Sequence, residues 1–218
     1  MKLDLPDIYN AATTFVDENI RQGRGKKTAI YFQDEKFTYQ DLFEKVNQTG
    51  NALKELGVEI EQRVLLVLPD SPECAFSFFG TIKIGAVPIP TNPWMKASDY
   101  DYLLRDSRAR VLIVHESSLS EVEPIWDQSR YLKNVIVVGK PRGKALSYDG
   151  LVSKASSALE AQPTSKDDVV MWNYTSGSTG TPKGAVHLQH DMITITDLFA
   201  KPILGMREDD LCFSASKL

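Results

Sequence analysis

Cysteine is nearly absent. The 218 residues hold two, Cys74 and Cys212, far apart and without the short spacing of a metal site. A disulfide framework and a zinc cluster are therefore excluded as organising devices, no residue is assigned to a metal, and the reduced cytoplasm is the expected compartment. Long apolar runs are missing too. The longest, Val64-Leu-Leu-Val-Leu68, has the length of a strand, against the roughly 20 residues a membrane-spanning helix needs. The N-terminus, Met1-Lys-Leu-Asp-Leu-Pro-Asp7, puts acidic residues and a proline where a secretory leader has its apolar stretch. Positive charge is not in excess: 25 Lys and Arg against 29 Asp and Glu leave a net charge of −4. Neither nucleic acid nor membrane is an expected partner. No block of like charge marks a solvated tail.

What is present is ordinary globular material. A hydrophobic fraction of 42% supplies a core, and the length suits one large domain or two small ones. Apolar spacing from Ile8 to Ile20 predicts an opening helix using Ile8, Ala12, Phe15 and Val16. Thr28–Phe32 and Lys36–Thr38, around Asp34-Glu35, predict a hairpin. Thr38-x-x-Asp41 then forms a capping-box start, with Leu42, Val46, Leu53 and Leu56 on the buried face and Gly57 as the stop. Arg63–Leu68 reads as a strand buried on both faces. Asp70 caps the next helix, Pro72 fits its first turn, and Gly85 ends it. The prolines of Ala86-Val-Pro-Ile-Pro90 predict a short or edge strand. A helix opened by Ser98-x-x-Asp101 and strands at Arg110–Val114 and Asn134–Val138 complete the series.

Strand and helix alternation with near-continuous apolar strands predicts an α/β fold, a mainly parallel doubly wound sheet over residues 1–160. The polar, turn-rich stretch Glu160–Asp168 is the expected boundary loop. Residues 161–218 then hold strand Val169–Tyr174, a Gly/Ser/Thr loop, a returning strand Ala185–Gln189, a helix from His190 towards Phe199, and a new strand from Asp210 to Ser214. The sequence stops just after that strand begins, at Ser216-Lys-Leu218, which reads as a chain cut short at the start of a second subdomain.

The loop carries the chemistry. Thr175, Ser176, Gly177, Ser178, Thr179, Gly180, Thr181, Pro182, Lys183 and Gly184 follow one another without interruption. Glycines let the backbone turn at positive φ and approach a ligand closely. Successive N–H groups in such a turn form a concave anion site, the hydroxyls add donors, and Lys183 adds a mobile charge for phosphate oxygens. A Ser/Thr/Gly tract can also be a flexible linker. Here it is flanked directly by strands and has one fixed pattern. The common P-loop is disfavoured, because counting from Gly177 puts Pro182 where its second glycine belongs, and Gly184 follows Lys183 where a hydroxyl residue should hold magnesium. No G-x-G-x-x-G stands at the first strand–helix turn, so a dinucleotide fold has no support.

The string Tyr174-Thr-Ser-Gly-Ser-Thr-Gly-Thr-Pro-Lys-Gly184 resembles the signature loop of the adenylate-forming superfamily, which includes acyl- and aryl-CoA ligases, luciferases and the adenylation domains of peptide synthetases. Phe37–Leu42, Gly80–Pro90 and Asp101–Arg110 are similar to that family's N-terminal region, so the likeness covers essentially the whole chain. Phe199–Gly205 and Phe213–Leu218 look most like its benzoate–CoA ligase branch. The resemblance implies a two-step reaction. A carboxylate, expected to be aromatic, attacks the α-phosphorus of ATP to give acyl-AMP and pyrophosphate, and coenzyme A then displaces AMP. Thr175 to Gly184 would hold the β- and γ-phosphates, with Lys183 the catalytic residue and Mg2+ accompanying ATP.

One position departs from the pattern. Many members have a histidine five residues after the loop's last glycine, near the acid and the α-phosphate. Gln189 stands there, between His187 and His190. The family's adenine, magnesium and ribose contacts, hinge and small C-terminal domain all lie further along than Leu218. The 218 residues alone are therefore expected to be inactive, the missing C-terminal part being a partner. Two alternatives stay open: an adenylation domain serving a carrier protein, and a non-catalytic nucleotide-binding fragment. Trp94, Trp126 and Trp172 read as core or sheet-packing residues, His115 as structural, and Cys212 as buried and inert.

Overall fold

The computed structural model describes residues 5–175 and 180–213. The first helical stretch starts at Ala11, not at Ile8. Asn10 sets the start, its Oδ1 accepting the Ala12 N–H at 3.1 Å. Ile8 instead bridges Ser165 and is largely exposed. The stretch is π-helical over Thr13–Asp17 and α-helical over Glu18–Arg21 (α1). Asp17 meets Lys83 at 2.5 Å, and the Lys83 side chain is 0% exposed, with the Phe43 ring centroid 4.7 Å from its ammonium.

Strands β1 (Thr28–Phe32) and β2 (Glu35–Thr38) form the expected antiparallel hairpin, turning at Gln33-Asp34. The Thr38–Asp41 capping box is present and opens α2 (Tyr39–Glu55). Leu42, Val46 and Leu53 are buried, while Leu56, just past the helix end, is half-buried. Strand β3 (Arg63–Val67) leads to α3 (Pro72–Lys83), whose N-cap is Ser71 and not Asp70. The residue before a proline is pushed into extended backbone, and Ser71, at φ −145°, takes that place.

Strand β4 (Val87–Thr91) is followed by α4 (Ala97–Ser107), two residues earlier than Ser98-x-x-Asp101 predicts. The cap is made by Asp99, whose Oδ2 accepts the Lys96 N–H at 3.1 Å. After β5 (Val111–His115) comes α5 (Leu119–Trp126), unforeseen because Pro124 interrupts its pattern. Strand β6 (Asn134–Val138) is not the last of the series. A two-residue strand β7 (Leu146–Ser147) pairs with it and runs into α6 (Tyr148–Val152).

These strands form one five-stranded parallel sheet in the order β4-β3-β5-β6-β7. The apolar strands alternate between two cores. Leu65, Val67, Leu112, Val114, Val135 and Val137 pack with Tyr100, Leu103 and Leu104 of α4 and Val122 and Trp126 of α5. Val64, Leu66, Val111, Ile113, Ile136 and Val138 pack on the opposite side with Leu53 of α2 and Tyr148 and Val152 of α6. The doubly wound α/β expectation therefore holds, and both faces of the sheet are dry. Strand β4 is at the edge, as its prolines predict. Helices α2 and α3 approach closely at Gly80, where an added Cβ would lie 2.9 Å from the Val46 carbonyl oxygen.

The stretch after Leu159 is fastened along its length. Gln162 N–H donates to Lys83 O at 2.8 Å, Tyr9 N–H to Thr164 O at 2.8 Å, and Lys166 N–H to Asp7 O at 2.9 Å. Further on, strands β8 (Val169–Thr175) and β9 (Lys183–Leu188) pair, and α7 (Gln189–Ile195) continues as a π-helical turn over Thr196–Ala200.

Three expectations fail at the surface. Residues 210–213 form no strand, since none of the described strands lies beside them to pair with; Ser214 to Leu218 are outside the described residues. Leu211 and Phe213 are accordingly exposed, and so is Cys212, which was expected to be buried. Trp94 is 78% exposed in the loop after β4 and not in a core. Trp126 is buried and Trp172 packs against the core, as read from the sequence.

Candidate functional site

The Gly/Ser/Thr loop joins the two strands of an antiparallel hairpin. Thr175 pairs with Lys183, Tyr174 with Gly184, Asn173 with Ala185 and Trp172 with Val186, with a bulge between Val169 and Met171. Ser176, Gly177, Ser178 and Thr179 lie outside the described residues. Thr175 is exposed at the outgoing root, and its Oγ1 donates to Lys183 O at 3.5 Å. Gly180 has φ +88° and open space where a Cβ would be, a conformation that suits glycine alone. Thr181, Lys183 and Gly184 are exposed and Pro182 is half-buried. Among the described residues no carboxylate pairs with the Lys183 ammonium, so its charge is available to an anion.

The hairpin is held on α4 and on the start of β3. Tyr174 Oη donates to Asp106 Oδ2 at 2.6 Å, and Tyr102 Oη donates to Pro182 O at 2.9 Å. The Tyr102 and Tyr174 rings meet edge to face with centroids 6.5 Å apart. The Arg63 guanidinium lies 5.8 Å from the Trp172 ring centroid. Burial, then the hydrogen bond and negative charge of Asp106, push the Tyr174 phenol up, so it stays protonated and remains the donor.

Gln189, His187 and His190 are at the other end of the hairpin. Five residue steps along β9 separate Leu188 from Lys183, about 17 Å in an extended strand. Gln189 is 0% exposed; its Oε1 accepts the Ala11 N–H at 2.8 Å, while its buried Nε2 has no hydrogen-bond partner among the described residues. It ties the first helical stretch to the start of α7. His187 Nδ1 lies 3.5 Å from Asp191 Oδ2, and His190 Nδ1 lies 2.9 Å from the Lys166 carbonyl oxygen. Among the described residues, the hydrogen bonds and ion pairs of these three are made at this end of the hairpin. His115 closes β5, its Nδ1 accepting the Ser117 N–H at 3.2 Å, in line with a structural role. No group of three His, Cys, Asp or Glu is placed to hold a metal among the described residues.

A model of the AMP-binding enzyme family matches residues 16–218. The chain belongs to that family. Over 218 residues this AMP-binding chain is 41% identical to the benzoate–CoA ligase of Thauera aromatica, covering 99% of its own length and 41% of the relative's. It is 37% identical over 210 residues to a 4-hydroxybenzoate–CoA/benzoate–CoA ligase of Rhodopseudomonas palustris, covering 96% of itself and 39% of that protein. Among solved structures, the anthranilate CoA ligase AuaEII in complex with anthranoyl-AMP superimposes with a TM-score of 0.91 at 38% identity, over 95% of this chain and 40% of that one. The AMP-binding chain thus spans about two fifths of the length of these relatives.

Sequence reasoning found the loop and missed what holds it. Tyr102 and Asp106 fall in the segment Asp101–Arg110, whose likeness to the family was visible, but 80 and 68 positions separate them from the groups they touch.

Proposed function

We propose that this chain is the ATP-phosphate-binding portion of an acid–CoA ligase that activates an aromatic carboxylic acid as acyl-AMP and passes it to coenzyme A. In this reading residues 1–160 are the N-terminal α/β subdomain, and residues 161–218 hold the loop and begin the next one. The supporting observation is the hairpin itself: Thr175, Gly180, Thr181, Lys183 and Gly184 are all exposed in its loop or at the strand ends beside it, with an ammonium free of any described carboxylate. The backbone at Gly180 leaves room for a ligand, so the described part of the loop fits a polyphosphate.

The carboxylate oxygen attacks the α-phosphorus, and the bond from that phosphorus to the α,β-bridging oxygen breaks, so that the β- and γ-phosphates leave together as pyrophosphate. Lys183 and the loop N–H groups stabilise the charge that collects on the departing pyrophosphate, which is electrostatic catalysis. In the second half-reaction the coenzyme A thiol attacks the acyl carbon and AMP leaves. Mg2+ is expected to accompany ATP and offset phosphate charge; no described residue is assigned to hold it. The aromatic substrate class comes from the benzoate-directed relatives and from the anthranoyl-AMP held in the structural neighbour.

Isotope exchange tests the proposal. A ligase that contains this chain should move labelled pyrophosphate into ATP when benzoate or a related aromatic acid and Mg2+ are present and coenzyme A is absent. The isolated 218 residues should make no acyl-CoA. Absence of exchange with every aromatic acid tried would overturn the reading.

A further inference from the structure

Both roots of the loop are tied to one helix. On the outgoing side Tyr174, one position before Thr175, donates to Asp106. On the returning side Pro182, one position before Lys183, accepts from Tyr102. Tyr102 and Asp106 are four positions apart in α4, so a single face of that helix carries both ties. The two tyrosine rings touch between them, at 74°.

The ties differ in kind from the packing that holds the rest of the fold. A phenol on a carboxylate at 2.6 Å is a charge-assisted bond, among the strongest that neutral donors make. The Tyr174 proton is retained, because burial and Asp106 both disfavour the phenolate. Neither bond is needed to close the hairpin, whose ladder already pairs Thr175 with Lys183. What they add is a fixed platform under a segment rich in glycine and small hydroxyl residues. Any loop that must take one conformation around a ligand binds more tightly when its ends are set beforehand.

We propose that α4 is the positioning element of the phosphate loop, with Tyr102 and Asp106 acting through Pro182 and Tyr174 to hold its two roots at the spacing a polyphosphate requires. The inference rests on the reading of the loop as a polyphosphate site. Neither residue touches the phosphates in this scheme.

The test uses the 218-residue chain and inorganic tripolyphosphate as the probe. Calorimetry gives the affinity, hydrogen exchange at the Gly180, Thr181, Lys183 and Gly184 amides gives the order of the loop, and thermal melting reports folding. Tyr102→Phe removes one hydroxyl and Asp106→Ala removes one carboxylate. Each should weaken tripolyphosphate about 3- to 10-fold, the size of one lost hydrogen bond. Each should also quicken exchange at those amides, with little change in melting. Asp106→Asn keeps an oxygen for the Tyr174 proton and should restore most of the affinity and of the exchange protection. It also keeps the side-chain volume, so it serves if the alanine variant folds poorly. Wild-type binding that Tyr102→Phe and Asp106→Ala leave unchanged, with unchanged exchange, overturns the positioning role and leaves the phosphate site standing. A fall in melting temperature with unchanged affinity also overturns it. No binding by the wild type removes the phosphate reading and the positioning role together.

Discussion

Leu112 in β5 and Val186 in β9 are both aliphatic residues in the middle of strands, yet the first is 0% and the second 49% exposed. The five-stranded sheet has a core on each face, and the apolar residues of its central strands β3, β5 and β6 divide between the two. The β8–β9 hairpin packs Trp172 and Tyr174 against the α4 core and Val170 and Met171 into a smaller cluster with Tyr9, Ala12 and Ile82, while its loop end is held by a few polar contacts. Burial therefore fixes where the sheet is, whereas hydrogen bonds fix where the loop is. Substitutions in the first region should be felt in folding, and substitutions in the second in ligand chemistry.

The sharpest test of burial is the ion pair of Asp17 with Lys83, at the end of α3. Asp17→Asn leaves the fully buried Lys83 ammonium without its countercharge and should cost about 3–5 kcal/mol, read from urea unfolding. Burial, the dominant influence, already holds Lys83 below its ordinary value of 10.5, partly offset by Asp17. The unfolded chain thus binds the proton more tightly, and stability should rise with pH from the lowered value up to about 10.5. Losing Asp17 should extend that rise to lower pH.

Leu112→Ala should follow closely, at about 2–5 kcal/mol, because it empties a site packed on both flanks. Val186→Ala should stay within about 0.5 kcal/mol in the same unfolding assay. Equal losses at the two positions would erase the contrast between sheet and hairpin.

Lys183→Ala inverts the pattern. Pyrophosphate exchange should fall by about 2–4 kcal/mol, roughly 30- to 1,000-fold in rate, with the urea midpoint unchanged. Thioester formation from preformed acyl-adenylate should suffer less, since pyrophosphate has already left. Equal losses in both half-reactions would move Lys183 into the structural class.

The smallest effect belongs to the α2 cap. Asp41→Ala should cost about 1 kcal/mol. The Thr38 side chain and then its backbone N–H hold the Asp41 carboxyl below its ordinary 3.8. Its folded value is depressed, so its contribution is present above that pH and fades as pH falls through the folded value. The difference between wild type and variant, measured by thermal melting, should disappear in acid.

Much of the sheet was legible because its strands are continuous apolar runs, which have few other homes. The edge position of β4 and the capping box of α2 followed from prolines and from a Thr–Asp spacing that admit few alternatives. Short elements escaped: β7 has two residues, and α5 contains Pro124. Caps slipped by one or two residues where several polar side chains compete, as around Asp70-Ser71 and Ser98-Asp99. The loop was legible because its composition is itself the chemistry. Its supports were not, since Tyr102 and Asp106 act on partners 80 and 68 positions away. The exposure of Trp94, Cys212 and Phe213 reflects the same limit, for an apolar side chain is buried only if something is folded against it.

The prolines of β4 do more than mark an edge. Val87 turns its N–H inward to Gln62 O at 2.9 Å, so Pro88 and Pro90, one position out of phase, face away from β3. That outer side lacks two donors, and no further strand can form a regular ladder there. Strand β8 lies beside β4 and bonds to β9 instead. A sheet rich in valine, leucine and isoleucine is thereby closed on that side to the strands of neighbouring molecules, a built-in guard against aggregation while the chain is being made and is still at high local concentration.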